Sequence, residues 1–236
     1  MTRATKAAAM AVALSGAALV AAPIPKGGPL PPPTKAQLDA SAFNLKQFGI
    51  AGHNYHDTNG FMANNVYSKD GKPLLSWRVV LLPYLEEMPL YQQFKLDEPW
   101  DSDANKKLIE KMPKVYAPVR VKAEPGMTFY RGFAGPDTTF EPKQKLRIPA
   151  SFPDGCSTTV WVVEAGEPVV WTKPDDLPFE PKKDLPKLGG LFDGEFHFLT
   201  VDGVVHRARK DFDPVMFKRV ITRSDGMVID FSLVEK

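Results

Sequence analysis

Six of the twelve residues from Pro23 to Thr34 are proline. Proline locks φ and has no amide hydrogen to donate, so this stretch cannot be helix. It carries almost no apolar load and reads as a semi-rigid extended linker. It therefore divides the chain into a leader, residues 1–22, a linker, 23–34, and a single domain, 35–236. Proline is abundant elsewhere too: 23 of 236 residues, about twice the usual ~5%. Long uninterrupted helices are excluded wherever these prolines fall.

The leader has the layout of a secretory signal peptide. Arg3 and Lys6 precede sixteen uncharged residues, Ala7 to Ala22, that end in small side chains. A spanning helix needs about 20 strongly apolar residues. This stretch is shorter, mostly alanine, and broken by Ser15 and Gly16. Cleavage after Ala21 or Ala22 is expected, giving an exported protein, periplasmic or extracellular, with no stable membrane span. No cysteine ends the leader, so no lipid anchor is expected.

Charge excludes one class of partner. The chain has 30 Lys+Arg against 28 Asp+Glu, and loss of the two leader cations leaves 28 against 28. A neutral domain lacks the field that gathers nucleic acid or an anionic membrane. Hydrophobic residues at 43% and charged residues at 25% are ordinary globular values. They exclude a disordered chain, a coiled coil and a multi-span membrane protein. The sole cysteine, Cys156, cannot form an internal disulfide. It reads as a small buried residue at a strand start rather than a nucleophile.

Ala36 to His56 is the best helix candidate. Leu38, Leu45, Phe48, Gly52 and Tyr55 make one stripe, and Phe43 and Ile50 extend it to a second side. Such a helix should pack across a broad surface, a sheet. Thr34 is its expected N-cap and Asn59-Gly60 its end. Leu74 to Phe94 should form two or three short helical pieces around Pro83 and Pro89. Asp101 or Ser102 should cap a short helix through Met112.

Strand-like texture follows, at Val115–Val119, Thr128–Phe133 and Thr158–Glu164. Phe196–Val201, Asp202-Gly203 and Val204–Arg207 form a hairpin signal. Asp213-Pro214 should open a helix to Ile221, and Met227–Leu233 should be a last strand. Between them, Ala165–Gly190 reads as a long proline-rich loop. Helices segregated from strands argue for α+β, a long N-terminal helix on an antiparallel sheet.

Two groups of residues could carry chemistry. His53 and His56 are three apart and share a helix face. With Asp57 they could contribute to a transition-metal site, given a further donor from elsewhere. The alternative is that they cap carbonyls at a helix C-terminus. Trp171 with Asp175 and Asp176 could meet a polar ligand such as a sugar or peptide; the alternative is that Trp171 anchors its loop. No phosphate loop, Gly-x-Ser-x-Gly or zinc-protease motif is present. No catalytic residue is assigned and no cofactor is expected.

Several blocks resemble the bacterial domain of unknown function 1559. They include Asn44-Leu45-Lys46-Gln47-Phe48-Gly49, His53-Asn54-Tyr55-His56-Asp57, and Gly71-Lys72-Pro73-Leu74-Leu75-Ser76-Trp77-Arg78-Val79. Val163-Glu164-Ala165-Gly166-Glu167 and Trp171-Thr172-Lys173-Pro174-Asp175-Asp176-Leu177-Pro178 add to it, and the likeness runs from about 42 to 206. The resemblance implies an exported, pilin-like or pseudopilin-like domain, in a family sometimes labelled solute-binding. This chain lacks the family's prepilin junction and the apolar helix behind it, whose burial drives filament assembly. The resulting expectation is a soluble, non-enzymatic envelope interaction or assembly protein whose partners are envelope proteins or a small ligand. The alternatives are a periplasmic solute-binding protein using the 165–190 loop and an uncharacterised hydrolase.

Overall fold

The computed structural model describes residues 22–23, 31–189 and 192–236. The signal-like segment up to Ala21 and residues 24–30 of the linker lie outside the described residues. Ala22–Pro23 (β1) runs parallel to Val121–Lys122 (β4). The linker's last residues meet the domain, where Arg120 donates to the Pro31 carbonyl and stacks over Phe192.

The long helix, α1, spans Lys35–Asn59, about 37 Å at 1.5 Å per residue. Thr34 caps it as expected. Its hydroxyl accepts from the Gln37 amide at 3.2 Å, and its own amide donates back to the Gln37 side chain at 3.0 Å. Gly60 ends it at φ 77°, a left-handed conformation that glycine adopts without steric cost. Ser41, Leu45, Phe48, Gly49, Ala51 and Gly52 are buried along one side. The second apolar side stays uncovered: Phe43 is 61% exposed and Ile50 49%. The sheet meets only one face of α1.

The hairpin β2 (Val66–Tyr67) and β3 (Pro73–Leu75) leads into α2 (Trp77–Val80). A 3-10 turn at Leu82–Leu85 and α3 (Met88–Tyr91) follow. This agrees with the short pieces that Pro83 and Pro89 impose. A 3-10 segment occupies Asn105–Lys111, and the Ser102 hydroxyl accepts from the Asn105 amide. Val115–Val119 is not a strand. Its first half is a 3-10 turn, Lys114–Tyr116, between Pro113 and Pro118, which deny the ladder its amides.

The main sheet has the order β10-β9-β7-β5, every neighbour antiparallel. Its strands are β5 (Met127–Arg131), β7 (Val160–Val170), β9 (Phe196–Thr200) and β10 (Val205–Ala208). Asp202 and Gly203 close the expected hairpin between β9 and β10. A smaller parallel pair joins β6 (Phe133–Ala134) to β8 (Leu177–Pro178). The 165–190 segment is thus more ordered than its prolines suggest, since β7 continues to Val170 and β8 pairs again.

Both faces of this sheet are covered. On one, Trp161, Val162 and Leu199 pack with α1's Leu45, Phe48 and Ala51, together with Trp77 and Trp171. On the other, Val163, Phe196 and Phe198 pack against Phe217, Val220 and Ile221 of α4 (Pro214–Ile221). A register shift between Val160 and Val162 puts the consecutive Trp161 and Val162 on the same side. Burial on both faces explains the continuous apolar run Val160–Val163 that opens β7 and the full burial of β9. The fold is α+β, as expected.

Met227–Leu233 is irregular apart from a 3-10 turn at Phe231–Leu233. Asp225 and Asp230 accept from the amides of Met227 and Ser232, and these local bonds replace a ladder. The C-terminus is held by Glu195, which accepts from Lys236 at 2.6 Å and also from Arg207. Burial raises the Glu195 carboxyl, but those two hydrogen bonds outweigh it and hold it below the ordinary value. A depressed carboxylate contributes stability above its unfolded pKa, which is lost as pH falls through the folded one. Calorimetry should therefore show the melting temperature falling below about pH 4.5, with Glu195→Gln flattening that limb.

Candidate functional site

The residues chosen from sequence fall in three different settings. Trp171 is fully buried. It stacks on Tyr116 with centroids 5.7 Å apart, meets Phe94 edge-on, and donates its Nε1 hydrogen to the Ile109 carbonyl. Its face serves the core, so it offers no platform to a ligand. Asp175 is at the surface, paired with Arg131 and with Lys173, each at 2.8 Å. Burial raises its carboxyl, but the bond from Lys173 and the charge of Arg131 outweigh this and hold it low.

His56 Nε2 accepts from the Ile148 amide at 3.1 Å, and its Nδ1 lies 3.5 Å from Asp57. His53 Nε2 is buried beside Gly203 with no hydrogen-bond partner. Among the described residues no three His, Cys, Asp or Glu side chains gather as a metal site. Among these residues no further donor joins His53, His56 and Asp57. Cys156 is half-buried, and burial, then the charge of Asp202, pushes its thiol up, away from thiolate.

Asp176 has a different role. It is buried and accepts from Asn65 Nδ2 at 2.7 Å, Trp77 Nε1 at 3.1 Å and the Gly132 amide at 3.0 Å. Arg78, fully buried, lies 3.9 Å away. Its guanidinium donates to the Tyr130 carbonyl at 2.8 and 2.5 Å and to the Ser76 hydroxyl at 2.6 Å. Burial pulls Arg78 down to about 10 against the opposing charge of Asp176, so at neutral pH it remains a cation.

A second buried cluster escaped the sequence reading. Glu164 on β7 accepts from the Ser41 hydroxyl of α1 and from the His197 amide of β9 at 2.7 Å, with His197 Nδ1 at 3.1 Å. The serine meets the carboxylate rather than the imidazole, and all three residues are buried. This arrangement ties α1 to the sheet.

Among the clefts of the described residues, one of about 220 Å³ lies between the end of α1, the β2 strand and the 143–145 turn, and larger ones open beside Leu74 and Leu96 and beside Phe192 and Lys236. Tyr55, Phe61 and Tyr67 give the first of these aromatic walls, and Asn65, Lys143 and Lys145 give it polar ones. Tyr55 stands edge-on to Phe61 at 5.9 Å and to Tyr84 at 5.6 Å. Burial is the main cause pushing the Tyr55 and Tyr67 hydroxyls up, so both stay protonated donors. Asn65 accepts from the Trp77 amide at 2.9 Å while donating to Asp176. Asp176 thus braces this wall of the cleft from behind. The aromatic spacing at 55, 61 and 67 was the available signal, but only the turn at Gly60 brings the three together.

Comparison with protein-family models matches residues 40–185 to a family described as "Protein of unknown function (DUF1559)" and given a solute-binding label. The matched span takes in most of α1, the Arg78–Asp176 pair and every residue of the cleft. No curated protein matches the chain. No solved structure matches it.

Proposed function

We propose that this chain, which belongs to the DUF1559 family, is an exported, non-enzymatic binding domain of pilin-like build that acts in the cell envelope. The signal-like leader supports export. The observation that carries the interaction role is α1 itself. It lies on an antiparallel sheet while Phe43 and Ile50, seven residues apart on its outer side, remain uncovered. Two large apolar groups two turns apart make a stripe that a partner can cover. Among the described residues no helix is long and apolar enough to cross a membrane.

The protein should appear in the extracytoplasmic fraction of cells. As bait it should capture an envelope partner, and Phe43→Ser with Ile50→Ser should abolish that capture without lowering the melting temperature. Capture unaffected by the double change would remove the role of α1.

A second reading, solute binding, is favoured by the cleft. It moves the expected ligand site away from the 165–190 loop, whose tryptophan is buried, to the opening beside Tyr55. Ser41, Glu164 and His197 are all buried beneath α1, out of a substrate's reach, which weighs toward binding over hydrolysis.

A further inference from the structure

We infer that the cleft beside Tyr55 receives an acidic saccharide, a pyranose ring bearing a carboxylate. The inference rests on the solute-binding reading and names its ligand class.

Size comes first. At about 220 Å³ the cleft falls below the roughly 300–1,000 Å³ of pockets that enclose drug-sized ligands. It suits one ring, with the remainder of a chain lying in solvent. The walls come next. Half-buried aromatic rings with protonated hydroxyls offer an apolar face and a polar edge together, which is what a sugar presents in return. The Tyr55 hydroxyl has no protein partner among the described residues, so it is available to donate.

Charge narrows the class. The cleft lining includes Lys143 and Lys145 and no acidic side chain. Neither lysine forms an ion pair among the described residues. Lys145 Nζ lies 4.5 Å from the Phe61 ring centroid, above the aromatic wall. Lys143 has an unusual backbone conformation. It sits at φ 64°, a conformation costly for a residue with a side chain. Its ammonium lies against Gly71, where an added Cβ would come within 2.2 Å of Nζ. The ammonium thus sits over the open face of Gly71. Two cations without an ion-pair partner among the described residues, one of them over the aromatic wall, complement an anion carried on a ring.

Calorimetric titration with trigalacturonic acid, its fully methyl-esterified form and inorganic phosphate tests this. The expected result is saturable binding of the acid, weakened by salt, with the ester at least tenfold weaker and phosphate not bound. Lys143→Glu with Lys145→Glu should weaken the acid at least tenfold while leaving the melting temperature in place, since both side chains are at the surface. Equal binding of acid and ester would overturn the anionic class and leave solute binding standing. Phosphate binding as tight as the acid would reduce the site to a bare anion contact. No binding of any probe would remove the saccharide inference while leaving the α1 capture result untouched.

Discussion

Asp176→Ala should cost the domain about 3–5 kcal/mol, the range for stranding one member of a buried ion pair. At roughly 2–4 °C per kcal/mol for a domain of this size, the melting temperature should fall by about 6–20 °C. The cost follows from the partners lost. Alanine leaves Arg78 charged, fully buried and without the carboxylate 3.9 Å away. It also orphans three donors, Asn65 Nδ2, Trp77 Nε1 and the Gly132 amide. An unmet buried donor costs about 1–3 kcal/mol.

Arg78→Met is expected to cost less. Asp176 would keep its three donors, and methionine fills much of the arginine's volume. The pair Arg78→Met with Asp176→Ala should be less damaging than the sum of the singles, because no charge is left stranded. Urea unfolding of the four proteins measures this. A loss under 1 kcal/mol for Asp176→Ala, or strictly additive losses, would show that the two charges do not depend on each other. Because Asn65 bridges Asp176 to the cleft, the same substitution should loosen a wall of the opening.

The fold was legible where local chemistry and tertiary packing agree. Thr34 and Gly60 bound α1 through their own side-chain and backbone properties, and Asp213-Pro214 opens α4 for the same reason. The Asp202-Gly203 turn fixes the β9–β10 hairpin. Met227–Leu233 misled because β-branched and apolar residues suggest a strand, while Asp225 and Asp230 capture the amides a ladder would need. Phe43 and Ile50 misled because periodicity reports that a face is apolar, not that anything covers it.

The candidate site was less legible still. Trp171 beside two carboxylates looks like a ligand surface, yet its ring completes the core and only Asp175 reaches the surface. Arg78 and Glu164 gave a usable signal, each a charge inside an apolar run, Trp77-Arg78-Val79 and Val163-Glu164-Ala165. A charge in such a run is buried and must find partners. Which partners cannot be read locally, since Glu164 lies 123 residues from Ser41 and 33 from His197.

Gly52→Ala should destabilise, although the same change within an exposed helix stabilises by roughly 0.5–1 kcal/mol. The reversal follows from one distance. An added Cβ at Gly52 would lie 1.7 Å from Trp161 Cη2 and 2.4 Å from Cζ3. Trp161 is 1% exposed and packed against Trp77 at 6.4 Å between centroids, so the ring has no room to retreat. Either the indole leaves its rotamer or α1 lifts off the sheet, and overpacking of this kind costs about 1–3 kcal/mol. Gly49→Ala is the control one turn earlier. Its nearest neighbours, Gly203 Cα at 3.3 Å and Leu199 Cδ1 at 3.4 Å, need yield only slightly, so its cost should be smaller. Trp161→Phe should relieve part of the Gly52→Ala loss, a coupling readable in a double-mutant cycle. Near-ultraviolet dichroism should report the displaced indole. A stabilised Gly52→Ala would mean that α1 does not rest on Trp161 at all. Tyr55 lies one turn beyond Gly52, so lifting the helix should also shift this aromatic wall of the cleft and weaken whatever binds there, linking the close approach of helix and sheet to the site at its end.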